Sequence, residues 1–229
     1  LNKEGLLEII HKKAAALSAA EWEQIRLLNQ KIIPDSLYDQ NLYNGGCLQS
    51  TCDNSINKAM EMGTTDVLLG LESDQLISYM IFYCLENPPS LQARLDKYRH
   101  LGRVGYSDML VVDPIFQKQG YARQMRTRMK EIGKGAKVDV FMTFVRSLPI
   151  PNIPSLLALR QAGAVSGCHF LLSERKIDGL DGPVQDICLE IIYPSDARIL
   201  TTDSGGKVIW SSLASVIPET LDSTHHRAI

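Results

Sequence analysis

At 229 residues, with 45% hydrophobic and 22% charged side chains, the chain has the composition of an ordinary globular protein, long enough for one large domain with appendages. Its formal net charge of −2 argues against a general nucleic-acid binder, which needs an overall basic face to displace counterions, and no apolar run approaches the ~20 residues that cross a bilayer, so neither nucleic acid nor membrane is an expected partner. Five cysteines without regular spacing fit a reduced, cytoplasmic protein; Cys47 and Cys52 lack a second close Cys/His pair, so no metal is expected.

From the amino terminus, Leu6, Leu7, Ile10, Ala14 and Leu17 recur at helical spacing and predict a helix over residues 3–17. Ser18 followed by Glu21 is a capping-box pattern, and Trp22, Ile25, Leu28 and Ile32 supply the apolar stripe of a second helix that Pro34 ends. Residues 34–66 are polar and turn-rich around Asn44-Gly45-Gly46, with a short helix predicted from Ser55 to Met62. Val67–Leu71 and Leu76–Leu85 read as two strands joined by the polar turn Glu72-Ser73-Asp74. After Asn87-Pro88-Pro89, Ser90 is placed to cap a helix running through Tyr98.

Residues 104–112 alternate as a strand, which puts Val104, Tyr106, Asp108, Leu110 and Val112 on one face and Gly105, Ser107, Met109 and Val111 on the other; Pro114 stops it. Beyond a loop containing Gly120, Ala122, Met125, Met129 and Ile132 mark one apolar helix face, with Arg123, Arg126, Arg128, Lys130 and Lys134 on the rest. A strand entering a glycine loop that opens a helix gathers unpartnered backbone N–H groups and the positive end of the helix dipole at one point. That geometry suits an anion or a nucleotide phosphate, with Gly120 allowing close backbone approach and Arg123 adding charge; a tight turn without a ligand has the same local sequence. Residues 137–145 read as the next strand, the stretch P-N-I-P-S-L-L-A-L-R-Q-A-G-A opens at Pro151, and Cys168–Ile177 with Val184–Tyr193 predict a hairpin. A further hairpin is expected at Ile199–Thr202 and Lys207–Trp210, before a polar tail.

The string Gln117-Lys118-Gln119-Gly120-Tyr121-Ala122 matches a Q/R-x-x-G-x-G/A signature. With the preceding L-V-V-D-P-I-F it resembles the acetyl-CoA-binding segment of the GNAT superfamily of N-acetyltransferases; the G-K-S/T of a Walker loop and the G-x-G-x-x-G of a dinucleotide fold are both missing. Asn152, Ser155 and Gly163 fall on a second signature of that family. Leu159 replaces the Tyr whose hydroxyl protonates the departing thiolate in many members, and Ala164 replaces a Phe.

The resemblance covers residues 67–193 and implies an α/β (α+β) class, the GNAT acyl-CoA N-acyltransferase fold, with a mixed, mostly antiparallel central sheet flanked by helices. That domain is expected over residues 19–194, between an N-terminal helical flank (1–18) and a C-terminal extension (195–229). A GNAT chain usually opens on a strand before its first helix, and none is legible here. Acetyl-CoA or another acyl-CoA is the implied co-substrate, with no metal, and an amine of a small molecule or peptide the implied acceptor. The family's strand splay would fall beside Leu110, so pantetheine would meet the backbone along Leu110, Val111 and Val112. Gln117, Lys118, Gln119, Gly120, Tyr121, Ala122 and Arg123 would hold the pyrophosphate, and Asn152 and Ser155 would join the coenzyme site.

In the same resemblance Asp108 is the candidate base or amine-binding carboxylate, and Tyr106 could donate or accept a proton; a hydrogen-bonded structural Asp and a packed strand Tyr are the alternatives. Without a Tyr at position 159, Tyr106, Ser107, Thr143 or water would protonate the thiolate, or it would leave unassisted, a thiol having a pKa of about 8.5. Competing readings are acyl transfer to a carrier-protein thiol, decarboxylation of a malonyl thioester as in GNAT-like domains of polyketide assembly lines, and a non-catalytic CoA-binding module. His169 could pair with a cysteine as base and nucleophile, or be a satisfied strand histidine.

Overall fold

The computed structural model describes residues 7–32, 49–148, 152–175 and 184–211. Strands β1 (Glu8–Lys13), β2 (Asp66–Glu72), β3 (Gln75–Tyr83), β4 (Val104–Val112), β5 (Val140–Leu148), β6 (Val165–Arg175) and β7 (Val184–Pro194) form a seven-stranded sheet in the order β1-β2-β3-β4-β5-β7-β6. Every pairing is antiparallel except that of β4 with β5. Helices α1 (Ala19–Ile32) and α2 (Gln49–Met62) pack on one face, where Trp22, Ile25, Leu28, Ile56 and Ala59 meet Tyr79, Ile81 and Met109. Helices α4 (Tyr121–Gly135) and α5 (Ile153–Gln161) pack on the other, where Met125, Met129 and Leu159 meet Met80, Phe82 and Phe141. A mixed, mostly antiparallel sheet between helical layers is the expected architecture.

The opening of the chain differs from its sequence pattern. Where the spacing predicts a helix over 3–17, the described residues, which start at Leu7, form the edge strand β1 followed by a single 3-10 turn at Ala14–Ala16. Ile9 packs on the α4 side and Ile10 on the α1 side, the two-residue period of a strand, and the ladder from Glu8–Leu71 to Lys13–Asp66 satisfies the edge of β2. His11 and Lys13 converge on the buried Asp66 at 2.8 and 2.6 Å, an attachment no local propensity reveals.

The second helix follows its sequence signals. Ser18 N donates to Glu21 Oε2 at 2.8 Å while Glu21 N donates to Ser18 Oγ at 3.2 Å, a reciprocal capping box. α2 starts at Gln49, ahead of the predicted Ser55. Between β2 and β3 the turn residues Ser73 and Asp74 both have positive φ (49° and 65°), the primed turn whose twist suits an antiparallel hairpin.

The predicted Ser90-capped helix is broken into a 3-10 turn (Pro89–Leu91), the short α3 (Gln92–Asp96) and a second 3-10 turn (Arg99–Leu101), without a side-chain cap. Long-range bonds hold this segment: Tyr98 Oη donates to Glu190 at 2.6 Å and Trp210 Nε1 to the Leu101 carbonyl at 3.0 Å. β5 starts at Val140 rather than Lys137, because Lys137 turns the chain with φ 59°. β6 starts at Val165, three residues before the predicted Cys168. The final hairpin, β8 (Leu200–Thr202) and β9 (Val208–Trp210), forms as expected, and Leu200 and Val208 join the core on the α1 face. The Asn44-Gly45-Gly46 turn and the polar tail lie outside the described residues.

Candidate functional site

β4 carries an irregularity that its alternating sequence conceals. Along the β3 ladder Met109 faces Ile81 and Ser107 faces Phe82, so Asp108 has no opposite number and forms a β-bulge. The bulge resets the alternation. Val104, Tyr106, Met109 and Val111 all belong to the α1–α2 side, whereas Leu110 and Val112 pack on the α4 side. The expectation that Asp108 and Tyr106 share a face with Leu110 is therefore overturned. Asp108 remains with Tyr106, whose Oη donates to Asp108 Oδ1 at 3.2 Å.

The pairing of β4 with β5 covers only Val104–Val140, Gly105–Phe141 and Tyr106–Met142. Past that point the two strands part, which opens the gap deeper in the sheet than the expected position beside Leu110. Asp113 N donates to the Ile77 carbonyl on β3 at 2.8 Å, and strand backbone groups alternate in direction. Leu110 and Val112 consequently turn their N–H and C=O groups away from β3 and into the gap. The Val112 carbonyl already accepts a hydrogen bond from Gln117 Nε2 at 3.2 Å, so that side chain caps the strand end.

The loop after β4 is built by Asp113 and Gly120. Asp113, buried, accepts from Ile115 N at 3.1 Å and from Lys31 Nζ at 2.7 Å, which fixes the 3-10 turn Pro114–Phe116 against α1. Lys118 (φ 64°) and Gly120 (φ 84°) are both left-handed, and Gly120 is the N-cap of α4 without a side-chain cap bond. The N–H groups of Tyr121 and Ala122 have no intrahelical acceptor at this start, so the loop and first turn offer a concave set of amides suited to a diphosphate. Gln119 bonds the Ile115 carbonyl at 3.5 Å, and Tyr121 buries its ring against Phe116 with its hydroxyl on Glu72 at 2.7 Å. Only the backbone of Tyr121 therefore faces the loop; the Lys118 and Arg123 side chains are exposed at its rim.

Asp108 is half-buried, and burial raises its carboxyl above the ordinary range, against the opposing hydrogen bonds of Ser55 and Tyr106 and the more distant charge of Lys58. Ser55 and Lys58 bring α2 to the site, a contribution invisible in the sequence. Tyr83 stacks on Tyr106 with ring centres 5.9 Å apart, and Tyr106 lies 5.4 Å from Phe144. The Tyr83 hydroxyl is 1% exposed, and burial followed by the Asp108 charge pushes it up against the opposing Thr65 hydroxyl.

The second signature folds as a helix start. Asn152 is the N-cap of α5 and accepts from Ser155 N at 3.1 Å, so these two residues meet each other there. Leu159 is buried at 3% among Met125, Met129, Tyr193 and Phe141, where it offers no proton. His169 meets Ser147 Oγ at 3.2 Å, with Cys168 next to it exposed and Cys188 buried. Sequence reasoning missed Glu190, fully buried on β7 and bonded by Tyr98 and Arg94. Its signal was there: a lone charge inside the apolar run Cys188-Leu189-Glu190-Ile191-Ile192.

Among the described residues no helix is long and apolar enough to cross a membrane, and no three His, Cys, Asp or Glu side chains converge as metal ligands. No protein-family profile and no curated protein sequence matches the chain. Solved structures do. A protein from Desulfovibrio desulfuricans assigned to the GNAT family of acetyltransferases superposes with a TM-score of 0.55 at 9% identity, over 83% of this chain and 100% of its own. The ribosomal-protein-alanine N-acetyltransferase of Brucella melitensis gives 0.53 at 14% identity, over 82% and 99%. A protein from Salmonella typhimurium assigned as an acetyltransferase and held with acetyl-CoA gives 0.51 at 16% identity, over 84% and 96%. At such identities the likeness is one of architecture: this chain has the fold of the GNAT acetyltransferases.

Proposed function

We propose that this chain is an acyl-CoA-dependent acyltransferase that moves an acetyl or other short acyl group from coenzyme A to an amine of a small molecule or peptide by direct attack in a ternary complex. The observation that carries the reading is the conjunction on β4 of the parting from β5, the Leu110 backbone turned into the gap, and Asp108 bulged onto the α2 side. The fold shared with acetyltransferases supports it by analogy.

Coenzyme A, when bound, supplies the activated thioester. The chain's part is to seat the diphosphate on the amides around Gly120, to aim the Leu110 N–H at the thioester carbonyl where charge develops, and to take the acceptor's proton on Asp108. A carboxyl raised by burial accepts that proton more readily than an ordinary one. One observation favours a second reading, transfer to a carrier-protein thiol: Leu159 leaves the departing sulfur without the family's proton donor, and a thiol acceptor can hand its own proton across.

Calorimetric titration with acetyl-CoA, followed by free-thiol release with a panel of amines and with a carrier protein, tests both. Binding that is lost in Gly120→Val, where a branched side chain would have to adopt φ 84°, together with amine-dependent release, is the expected result. Release only with the carrier protein selects the second reading, and binding without release in either assay leaves a non-catalytic module.

A further inference from the structure

The face of the sheet opposite Asp108 holds two cations for which the acyl transfer just described has no use. Arg126 and Lys130 lie one turn apart on the flank of α4 that meets α5. Lys130 Nζ donates to the Ala162 carbonyl beyond the end of α5 at 3.4 Å and stands 5.7 Å from the centre of the Tyr193 ring. Both side chains are half-buried, and among the described residues neither has a carboxylate at ion-pair distance; Asp196 acts on Lys130 only from further off. Burial pulls both down, and the Arg126 charge pulls Lys130 down further. Two neighbouring like charges withdrawn from water without a counter-charge are unfavourable by themselves, and an anion beside them removes the penalty.

The location shows which anion. Tyr193 is fully buried, with its hydroxyl 3.8 Å from Met129 Sδ, a weak acceptor, and near Ser107 and Arg126, both of which counter the effect of burial on its phenol. Ser107 is the first residue of β4 past the last pair with β5, Tyr106–Met142, so this cluster sits at the apex of the gap. Arg126 stands six residues into α4 from Gly120, about 9 Å along the helix axis, at the inner end of the gap and away from the phosphate cradle. Leu110 lies on β4 between Ser107 and the loop, so a thioester aimed at its N–H leaves the acyl chain to run on toward Ser107.

We propose that Arg126, with the hydroxyls of Tyr193 and Ser107, recognises a carboxylate at the far end of the acyl group, so that the donor is a dicarboxylic acyl-CoA of the malonyl or succinyl class; this rests on the acyltransferase reading. The bulge makes the arrangement self-consistent. It sends Asp108 to the α2 face and leaves Ser107 on the α4 face, which keeps the base and the acyl carboxylate on opposite sides of the sheet.

The test is calorimetric titration of the purified chain, Arg126→Met and Arg126→Lys with free CoA, acetyl-CoA, malonyl-CoA and succinyl-CoA. A charge-assisted hydrogen bond to the carboxylate should make malonyl- or succinyl-CoA bind about 10- to 100-fold more tightly than acetyl-CoA. Arg126→Met should erase that preference, and Arg126→Lys, which keeps the charge and loses the planar fork, should retain part of it. Equal affinity of the unaltered chain for all three acyl-CoAs overturns the inference while leaving the acyltransferase reading intact. So does an Arg126→Met loss that falls equally on all four ligands, which would assign Arg126 to the coenzyme's phosphates. Failure of all four to bind overturns the acyltransferase reading itself, and this inference with it.

Discussion

Asp108 on β4 and Glu190 on β7 stand on the same face of the sheet, and their surroundings push them in opposite directions. Glu190 has no solvent-exposed surface, and desolvation alone would raise it. Hydrogen bonds from Tyr98 Oη at 2.6 Å and Arg94 Nη1 at 3.0 Å, with the Lys97 ammonium at 3.5 Å, hold it below the ordinary carboxylate range instead. Asp108, among the described residues, receives the hydroxyls of Tyr106 and Ser55, with Lys58 acting through space, and burial prevails. A line of rings joins the two sites: Tyr83 on Tyr106, Tyr106 on Phe144, and Phe144 on Phe170, over which the Arg94 guanidinium lies at 3.7 Å. Charged donors beside a hydroxyl lock Glu190 as a structural anion, whereas Asp108, with hydroxyl donors and a more distant ammonium, is left able to take a proton.

The sharpest separation of the two is kinetic. Asp108→Asn should lower kcat/KM for the acceptor by about 10²- to 10⁴-fold, the range of a lost general base, with coenzyme affinity unaltered in calorimetry. A loss smaller than about tenfold would put Asp108 in the structural class with Glu190. Glu190→Ala should act on stability instead, costing about 1–3 kcal/mol in urea unfolding because the buried Tyr98 hydroxyl loses its acceptor, while the folded fraction keeps its turnover.

The pH dependence of stability tests the comparison from another side. Glu190, depressed in the folded state, contributes stability that is present above the unfolded carboxyl value of ~4.3 and is lost as pH falls through its lower folded value. Asp108, raised in the folded state, does the reverse: its ionisation costs stability as pH rises from the unfolded value of ~3.9 through its higher folded value. Asp108→Asn should therefore raise Tm at neutral pH and give no gain below about pH 3.9, in a series of melts across pH. The smallest effect belongs to Tyr106→Phe, which removes one of the bonds opposing the rise of Asp108 and should move the acidic limb of the kcat/KM profile to higher pH. An unmoved limb would detach Asp108 from the titration that governs activity.

By itself the sequence determined what depends on neighbours along the chain. Ser18 and Glu21 cap each other across three residues, Pro114 ends β4, and Gly120 takes the left-handed conformation that opens α4, all within one turn of backbone. Tertiary structure alone decided what depends on partners far away. Leu6 to Leu17 carry a helical spacing that yields to the unpaired edge of β2, and Asp108 leaves its apparent face because the β3 ladder has one residue fewer than β4 at that point. Glu190 meets Tyr98 across 92 residues of chain, and Arg126 is half-buried on the α4 flank that faces Tyr193. Local sterics and hydrogen bonds act within a few residues and leave a written pattern; strand register and the burial of charge are set by surfaces that exist only once the sheet has formed.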